Sequence, residues 1–307
     1  MPDRHKAPGS RPGQVGSPDR ARPPAQEAAS GAGRPRPETP APSLAPRPTE
    51  PGGTAPPQVT DSRPTPLPAA VGVVPARLGS TRLPEKMLAD LAGQPLVVRT
   101  AQGALASGAF ARVIVATDHE RIAAAVRAAG LEAMLTDPAH PSGSARVAEV
   151  ARRTDGQLFV NIQGDEPLVD GEGLRRLVAA FADPAVGMAT LWFPLRPEDE
   201  DNPNAVKVVA DAAGNALYFS RSLIPHPRAR DGFRPRKHVG VYGYRREVLQ
   251  RLMDLPPTDL ERVESLEQLR ALYHGIPIRL VEAARDSVGV DTQADLDRVR
   301  ATLERSL

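Results

Sequence analysis

The chain of 307 residues contains no cysteine. That excludes disulfides, thiolate metal sites and a cysteine nucleophile, and is compatible with a reducing cytoplasm. No apolar run approaches the roughly 20 residues that a membrane span requires, so no membrane partner is expected. The N-terminus has no continuous apolar stretch of the signal-peptide kind, because proline, glycine, arginine and serine interrupt it throughout. The six histidines show no H-x-x-x-H pairing, which removes the usual zinc spacing. There is no G-x-S-x-G elbow, no G-x-x-x-x-G-K-[ST] phosphate loop and no G-x-G-x-x-G dinucleotide turn.

The first 68 residues hold 18 of the 34 prolines and no Phe, Tyr or Trp. Such a composition cannot bury enough apolar surface to offset its ordering entropy. Residues 1–69 are therefore expected to form a disordered extension and 70–307 one folded domain. The extension carries 9 Lys/Arg against 6 Asp/Glu, which leaves 30 against 31 for the remainder, so the net charge of +2 sits in the extension. The folded part makes no electrostatic case for nucleic-acid binding. Besides a solvated extension, a start of translation near Val71 or Val73 is a second reading; the intact mass of natively expressed protein decides between them.

The folded part opens with the apolar run Ala70 to Pro75, which leads into a loop where Gly79, Ser80 and Thr81 are interspersed with Arg77, Arg82 and Lys86. Turn-forming residues that expose backbone, set among guanidinium and ammonium groups, suit a phosphate cradle. Three cations on a loop are equally an ordinary solvated surface, and both readings stand at this point. Then follow a helical pattern (Gln94 to Ser107), a buried-strand run (Arg112 to Ala116), a helix (Glu120 to Ala129) and a strand (Leu131 to Leu135). HPSGSAR, His140 to Arg146, opens the next helix, and Gln157 to Ile162 is another strand. This alternation predicts βαβ units and a mostly parallel central sheet with helices on both faces. A helix over Gly171 to Asp183 is followed by strands at Val186–Phe193, Ala205–Ala210, Ala216–Ser220 and Lys237–Tyr244, read as a smaller mixed-sheet region. Amphipathic helices at Leu260–Tyr273 and Gln293–Leu303 flank the strand Ile278–Glu282.

Ligands of such sheets sit at the carboxyl ends of strands. The opening loop, Asp118, and Asp165 with Glu166 are thus expected to converge on one crevice. Asp165 is either a strand-end turn former or a ligand for a hard cation such as Mg2+. Glu166, held extended by Pro167, points away from it. Asp291 either caps the last helix, as Thr292 also can, or joins Asp165 at a metal. His238 and Tyr242, four apart in a strand, share a face; an isolated histidine is ordinarily structural.

Over Val71 to Leu303 the chain resembles the 3-deoxy-manno-octulosonate cytidylyltransferase (CMP-Kdo synthetase) family. The resemblance runs through PARLGSTRLPEK, VATDH, HPSGSAR, VNIQGDEP, NPNAVKVV, ALYFSRSLIP, HVGVYGY, SLEQLR and GVDT, in that order. It implies an α/β, Rossmann-like nucleotidyltransferase fold, a cytoplasmic homodimer, Mg2+ dependence, and conversion of CTP and the sugar acid Kdo to CMP-Kdo and pyrophosphate for lipopolysaccharide biosynthesis. By motif position Arg77, Ser80, Arg82 and Lys86 would hold the nucleotide phosphates, with Lys86, Arg82 and Asp165 central to catalysis. Asp165 and Asp291 would hold Mg2+, and Ser142, Arg146 and Gln163 would serve the nucleotide side. Arg221, His238, Tyr242, Glu267 and Gln268 would line the sugar pocket, where a cation or histidine should meet the Kdo carboxylate. Two positions depart from the family's usual pattern: Ala145 stands where S-G-T-E-R has Glu, and Glu85 where P-G-K has Gly. The competing readings are a cytidylyltransferase for another sugar acid, such as a sialic acid or amino-Kdo, and a non-catalytic nucleotide-binding paralogue. Retention of both Asp165 and Asp291 speaks against the latter.

Overall fold

Val73 and Val74 are neighbours in the first strand, and both are wholly buried on opposite faces of it. A strand buried on both sides needs a layer of helices on each, and the computed structural model has that architecture. It describes residues 69–305 apart from 81, 230 and 231; the extension expected over 1–69 lies outside the described residues except for Ala69. In chain order the elements are β1 (Ala70–Ala76), α1 (Leu96–Ala106), β2 (Arg112–Thr117), α2 (Glu120–Ala128), β3 (Glu132–Leu135), α3 (Gly143–Arg153), β4 (Leu158–Asn161) and α4 (Gly171–Ala179). There follow β5 (Met188–Pro194), β6 (Lys207–Ala210), β7 (Ala216–Ser220), β8 (Arg236–Arg245), α5 (Arg246–Asp254), α6 (Asp259–Glu264), α7 (Gln268–Tyr273), β9 (Ile278–Glu282) and α8 (Gln293–Glu304).

The sheet runs β3-β2-β1-β4-β8-β5-β9. Its first four strands are mutually parallel, β8 is antiparallel to β4 and β5, and β9 is parallel to β5. β6 pairs with the start of β8 and carries β7 beside it, which makes the smaller mixed region. One core layer joins Val74, Val160 and Val241 to α1, α2, α4 and α8. The other joins Val73, Phe159 and Tyr244 to α3, α5 and α7. The alternation of β4, Phe159 to one layer and Val160 to the other, follows from the two-residue period of a strand.

Three elements differ from the sequence reading. The single helix expected over Leu260–Tyr273 is two, α6 and α7, separated at Ser265, whose φ is 51°. The break is imposed from outside: Arg221 donates to the carbonyls of Glu264 (2.6 Å) and Ser265 (3.2 Å), and the Glu264 carboxylate accepts from Ser220 and from the Arg221 backbone. The helix expected over Gly171–Asp183 ends at Ala179 and tightens into a 3-10 turn, Ala180–Ala182. α5 follows β8 with no intervening loop and was not anticipated.

Candidate active site

The carboxyl ends of β1 and β4 lie side by side, and the chain leaves them in two tight turns. At Gly164 a side chain is sterically excluded, since a Cβ there would lie 2.8 Å from the Pro75 carbonyl oxygen. Thr100 of α1 donates to the Gly164 carbonyl at 2.9 Å and fixes the turn. The next residue, Asp165, is thereby aimed across the end of β1, where Lys86 begins a short 3-10 turn. Lys86 Nζ donates to Asp165 Oδ2 at 2.7 Å and to Asp291 Oδ1 at 2.9 Å. Arg82 pairs with the other Asp291 oxygen at 3.1 Å. Asp291 reaches this point because the Val290 N–H donates to the Asp165 carbonyl at 2.9 Å, stitching the loop before α8 to the loop after β4. Burial works to lower the Lys86 pKa, but the hydrogen bonds and charges of Asp165 and Asp291 outweigh it and the net shift is upward. The ammonium is therefore charged throughout the neutral range.

Arg77 and Ser80, with Arg82, Lys86, Asp165 and Asp291, border a cavity of about 390 Å³. Its opposite wall is the HPSGSAR segment. Ser142 caps α3, its Oγ accepting from the Ala145 N–H at 3.2 Å. Arg146, 5% exposed, donates to Thr136 Oγ1 at 2.6 Å and faces Asp118 at 3.5 Å. Asp118 also accepts from the Leu78 N–H. The sequence places Asp118 on the crevice; in the structure it does not line that cavity and instead braces the opening loop through Leu78 and Arg146. His140, which the sequence reading left without a role, borders the same cavity, its ring held by Glu149 at 2.6 Å. Glu166 faces an apolar recess away from the crevice. Burial and the Asp165 charge push its pKa up to about 7, against the pull of Lys237.

Ser142, Gly143 and Gln163 border both this cavity and a second one of about 210 Å³. Gln163 is anchored by its Nε2 donating to the Gly240 carbonyl at 2.7 Å. Tyr242, Glu267 and Gln268 border the second cavity, as does Asn161, which sequence reasoning missed. Its signal was there: it is the one polar residue in the strand LFVN. Burial holds the Tyr242 hydroxyl well above its usual pKa, so it stays protonated.

Arg221 and His238 do not border that cavity. The Arg221 guanidinium is spent on the carbonyls of Pro203, Glu264 and Ser265. His238 sits behind Tyr242, ring centroids 5.3 Å apart, edge-on to Phe219 and in contact with Thr190 Oγ1 at 3.1 Å. Burial pushes its pKa down to about 3, so the ring is neutral and supplies no positive charge for a carboxylate. Glu85, in left-handed backbone with φ 50°, turns its carboxylate to Arg121 of α2.

Residues 71–281 match the family model described as cytidylyltransferase. The 3-deoxy-manno-octulosonate cytidylyltransferase of Chlorobium limicola is 50% identical over 245 residues, which span 77% of this chain and 98% of that protein. The protein of the same name from Chlorobaculum tepidum is 49% identical over 237 residues, 75% of this chain and 96% of the relative. Among solved structures, a CMP:2-keto-3-deoxy-manno-octonic acid synthetase complexed with CTP superposes with a TM-score of 0.75 at 43% identity, covering 78% of this chain and all of that one.

Proposed function

This chain belongs to the 3-deoxy-manno-octulosonate cytidylyltransferase family, and from that membership we propose that it joins CTP to Kdo, giving CMP-Kdo and pyrophosphate. The observation that carries the reading is the convergence of Asp165 and Asp291 on one buried cation, where a cationic loop meets a second polar chamber. The anomeric hydroxyl of the sugar acid attacks the α-phosphorus in line. Its O–P bond forms as the bond from the α-phosphorus to the bridging oxygen breaks; pyrophosphate leaves with that electron pair and the hydroxyl proton is released. No bond to the protein is made, so the side chains act by positioning and charge neutralisation. Arg77, Ser80, Arg82 and Lys86 hold the triphosphate, with Ser142, Arg146 and Gln163 on the nucleotide side.

Mg2+ fits the donor set. Among the described residues no cluster of three or more metal-ligating side chains exists, but two carboxylates that close on one cation need only phosphate oxygens and water to make the hard-oxygen shell Mg2+ takes. Asp165 and Asp291 would hold it, and bound there it supplies Lewis-acid polarisation of the phosphate. Tyr242, Glu267 and Gln268 contact the sugar acid. His238 and Arg221 act from behind them, His238 backing the Tyr242 ring and Arg221 fixing the turn that presents Glu267 and Gln268.

The reading extends to a cytoplasmic homodimer. Leu217, Val263 and Tyr273 are exposed apolar side chains on β7, α6 and α7, elements that pack on one another. Among the described residues no helix is long and apolar enough to cross a membrane. Sedimentation of a monomer at micromolar concentration would sink the dimer. The activity is tested by pyrophosphate release from CTP and Mg2+ with Kdo, an amino-substituted Kdo and a sialic acid. Release with Kdo is expected; release with a sialic acid and not with Kdo overturns the proposal. CTP binding without release from any of the three would point to a nucleotide-binding paralogue.

A further inference from the structure

Strand β4 runs Leu158, Phe159, Val160 and then Asn161, three wholly buried apolar side chains followed by an amide. Asn161 is only 4% exposed, and its Oδ1 has no hydrogen-bond partner. A buried amide oxygen without a partner loses hydration with nothing in exchange. For the fold alone an aliphatic side chain of the same size would serve better there. The orphan has company: of six such atoms among the described residues, Asn161 Oδ1 and Gln268 Nε2 belong to residues that line the same cavity of about 210 Å³, and Tyr242 lines it beside them.

Their placement is set by the backbone. Asn161 and Tyr242 are directly opposed in the β4/β8 ladder, so their side chains leave the sheet on one face as a cross-strand pair. Gln268 is the first residue of α7, across the cavity from them. The neighbouring amide, Gln163, already donates its Nε2 to the Gly240 carbonyl, whereas Asn161 Oδ1 and Gln268 Nε2 have no partner. Asn161 Oδ1 offers an acceptor and Gln268 Nε2 a donor, and the Tyr242 hydroxyl beside them can act as either. An unpaired acceptor repels phosphate and carboxylate oxygens but accepts from a hydroxyl, so the Asn161 amide oxygen suits the polyol part of a ligand.

We propose that Asn161 is a substrate-contacting residue which, with Tyr242 and Gln268, reads hydroxyl groups of the sugar acid and sets the preference for polyhydroxylated over deoxygenated substrates. The inference rests on the function proposed above. It is tested with Asn161→Leu, which keeps the side-chain volume and removes the orphan. The melting temperature should be unchanged or higher and the KM for CTP unaltered. The KM for Kdo should rise roughly 10- to 100-fold, as for loss of a buried hydrogen bond to a ligand. The variant should also lose the wild type's discrimination against the Kdo analogue lacking the contacted hydroxyl, an effect that general loosening of the fold would not produce. Should Leu fail to fold against Tyr242, Asn161→Ala carries the same expectation. An inactive wild type overturns both the function and this inference. An active wild type whose folded variant keeps its Kdo KM, or loses affinity for CTP equally, overturns the inference alone.

Discussion

Glu85 stands in left-handed backbone, φ 50°, a conformation that costs a side chain steric strain and costs glycine nothing. The carboxylate does not burden the phosphate loop, because Arg121 on α2 binds both of its oxygens and holds its pKa down. Glu85→Gly removes an exposed ion pair, which stabilises little, and relieves the backbone strain. The expected result is a melting temperature equal to or above that of the wild type with an unchanged KM for CTP; a drop of several degrees in thermal unfolding would refute this account. At Lys86 the sign of the pH dependence follows from its raised pKa. The contribution is fully present below the unfolded value near 10.5 and is lost only as pH rises through the still higher folded one. Activity between pH 6 and 9 is thus not gated by Lys86. Asp165→Asn keeps the shape and the hydrogen-bonding oxygen beside Lys86 but removes the charge proposed to hold Mg2+. It should leave the far-UV spectrum and melting curve near those of the wild type while lowering turnover by about 100-fold or more, the scale of losing a transition-state charge partner. Turnover close to wild type would remove Asp165 from the metal role.

Segment 136–142, whose last three residues line the crevice, is held to α3 by side chains from that helix. Glu149 accepts from the Asp137 N–H (2.9 Å), His140 Nε2 (2.6 Å) and Arg153 (2.8 Å), while Arg146 holds Thr136 and Ser142 caps the first turn. Burial would raise the Glu149 pKa, but these donors overcome it and bring it down to about 2. A depressed carboxylate contributes stability above its unfolded value, 4.5, and loses it as pH falls toward 2. Glu149→Gln should therefore lower the urea midpoint at pH 6 to 7, with the two curves converging as the pH drops toward 2. Parallel curves across that range would show that the carboxylate charge is not what holds the wall. The helix that HPSGSAR opens was readable in sequence because its pattern is local, and the βαβ half was readable because strands covered on both faces are apolar end to end. The α6–α7 break was not, since the amphipathic period continues through Ser265 and the interruption comes from Arg221, more than forty positions away. α5 was hidden by its charge: REVLQRLMD buries only Leu249 and Leu252.

At the level of the whole molecule, the family resemblance singles out Lys86, Asp165 and Asp291 separately, Lys86 for phosphate and the aspartates for metal; that the ammonium bonds both carboxylates is a finding of the structure, and Lys86 and Asp291 lie about two hundred positions apart. Spacing alone could not report depth. His238 and Tyr242 do share a face, as a strand period demands, yet only Tyr242 borders the cavity while His238 lies behind it. The same distinction between order and depth bears on the N-terminal extension. Every residue that lines the two cavities lies between Pro75 and Asp291, and 77% of this chain spans 98% of the Chlorobium limicola relative. On the function proposed above, the crevice draws on no residue before Pro75. The extension also carries the positive charge, since from residue 70 onward Lys/Arg number 30 and Asp/Glu 31. A chain beginning at Ala69 should therefore keep kcat/KM for CTP and the melting temperature of the full chain, while losing retention on a cation exchanger at pH 8, where its net charge is close to zero or slightly negative. Retention depends on charge and catalysis on the crevice, so the two readouts separate the roles. A truncated chain that elutes as expected but turns over poorly would show that the extension contributes to the site.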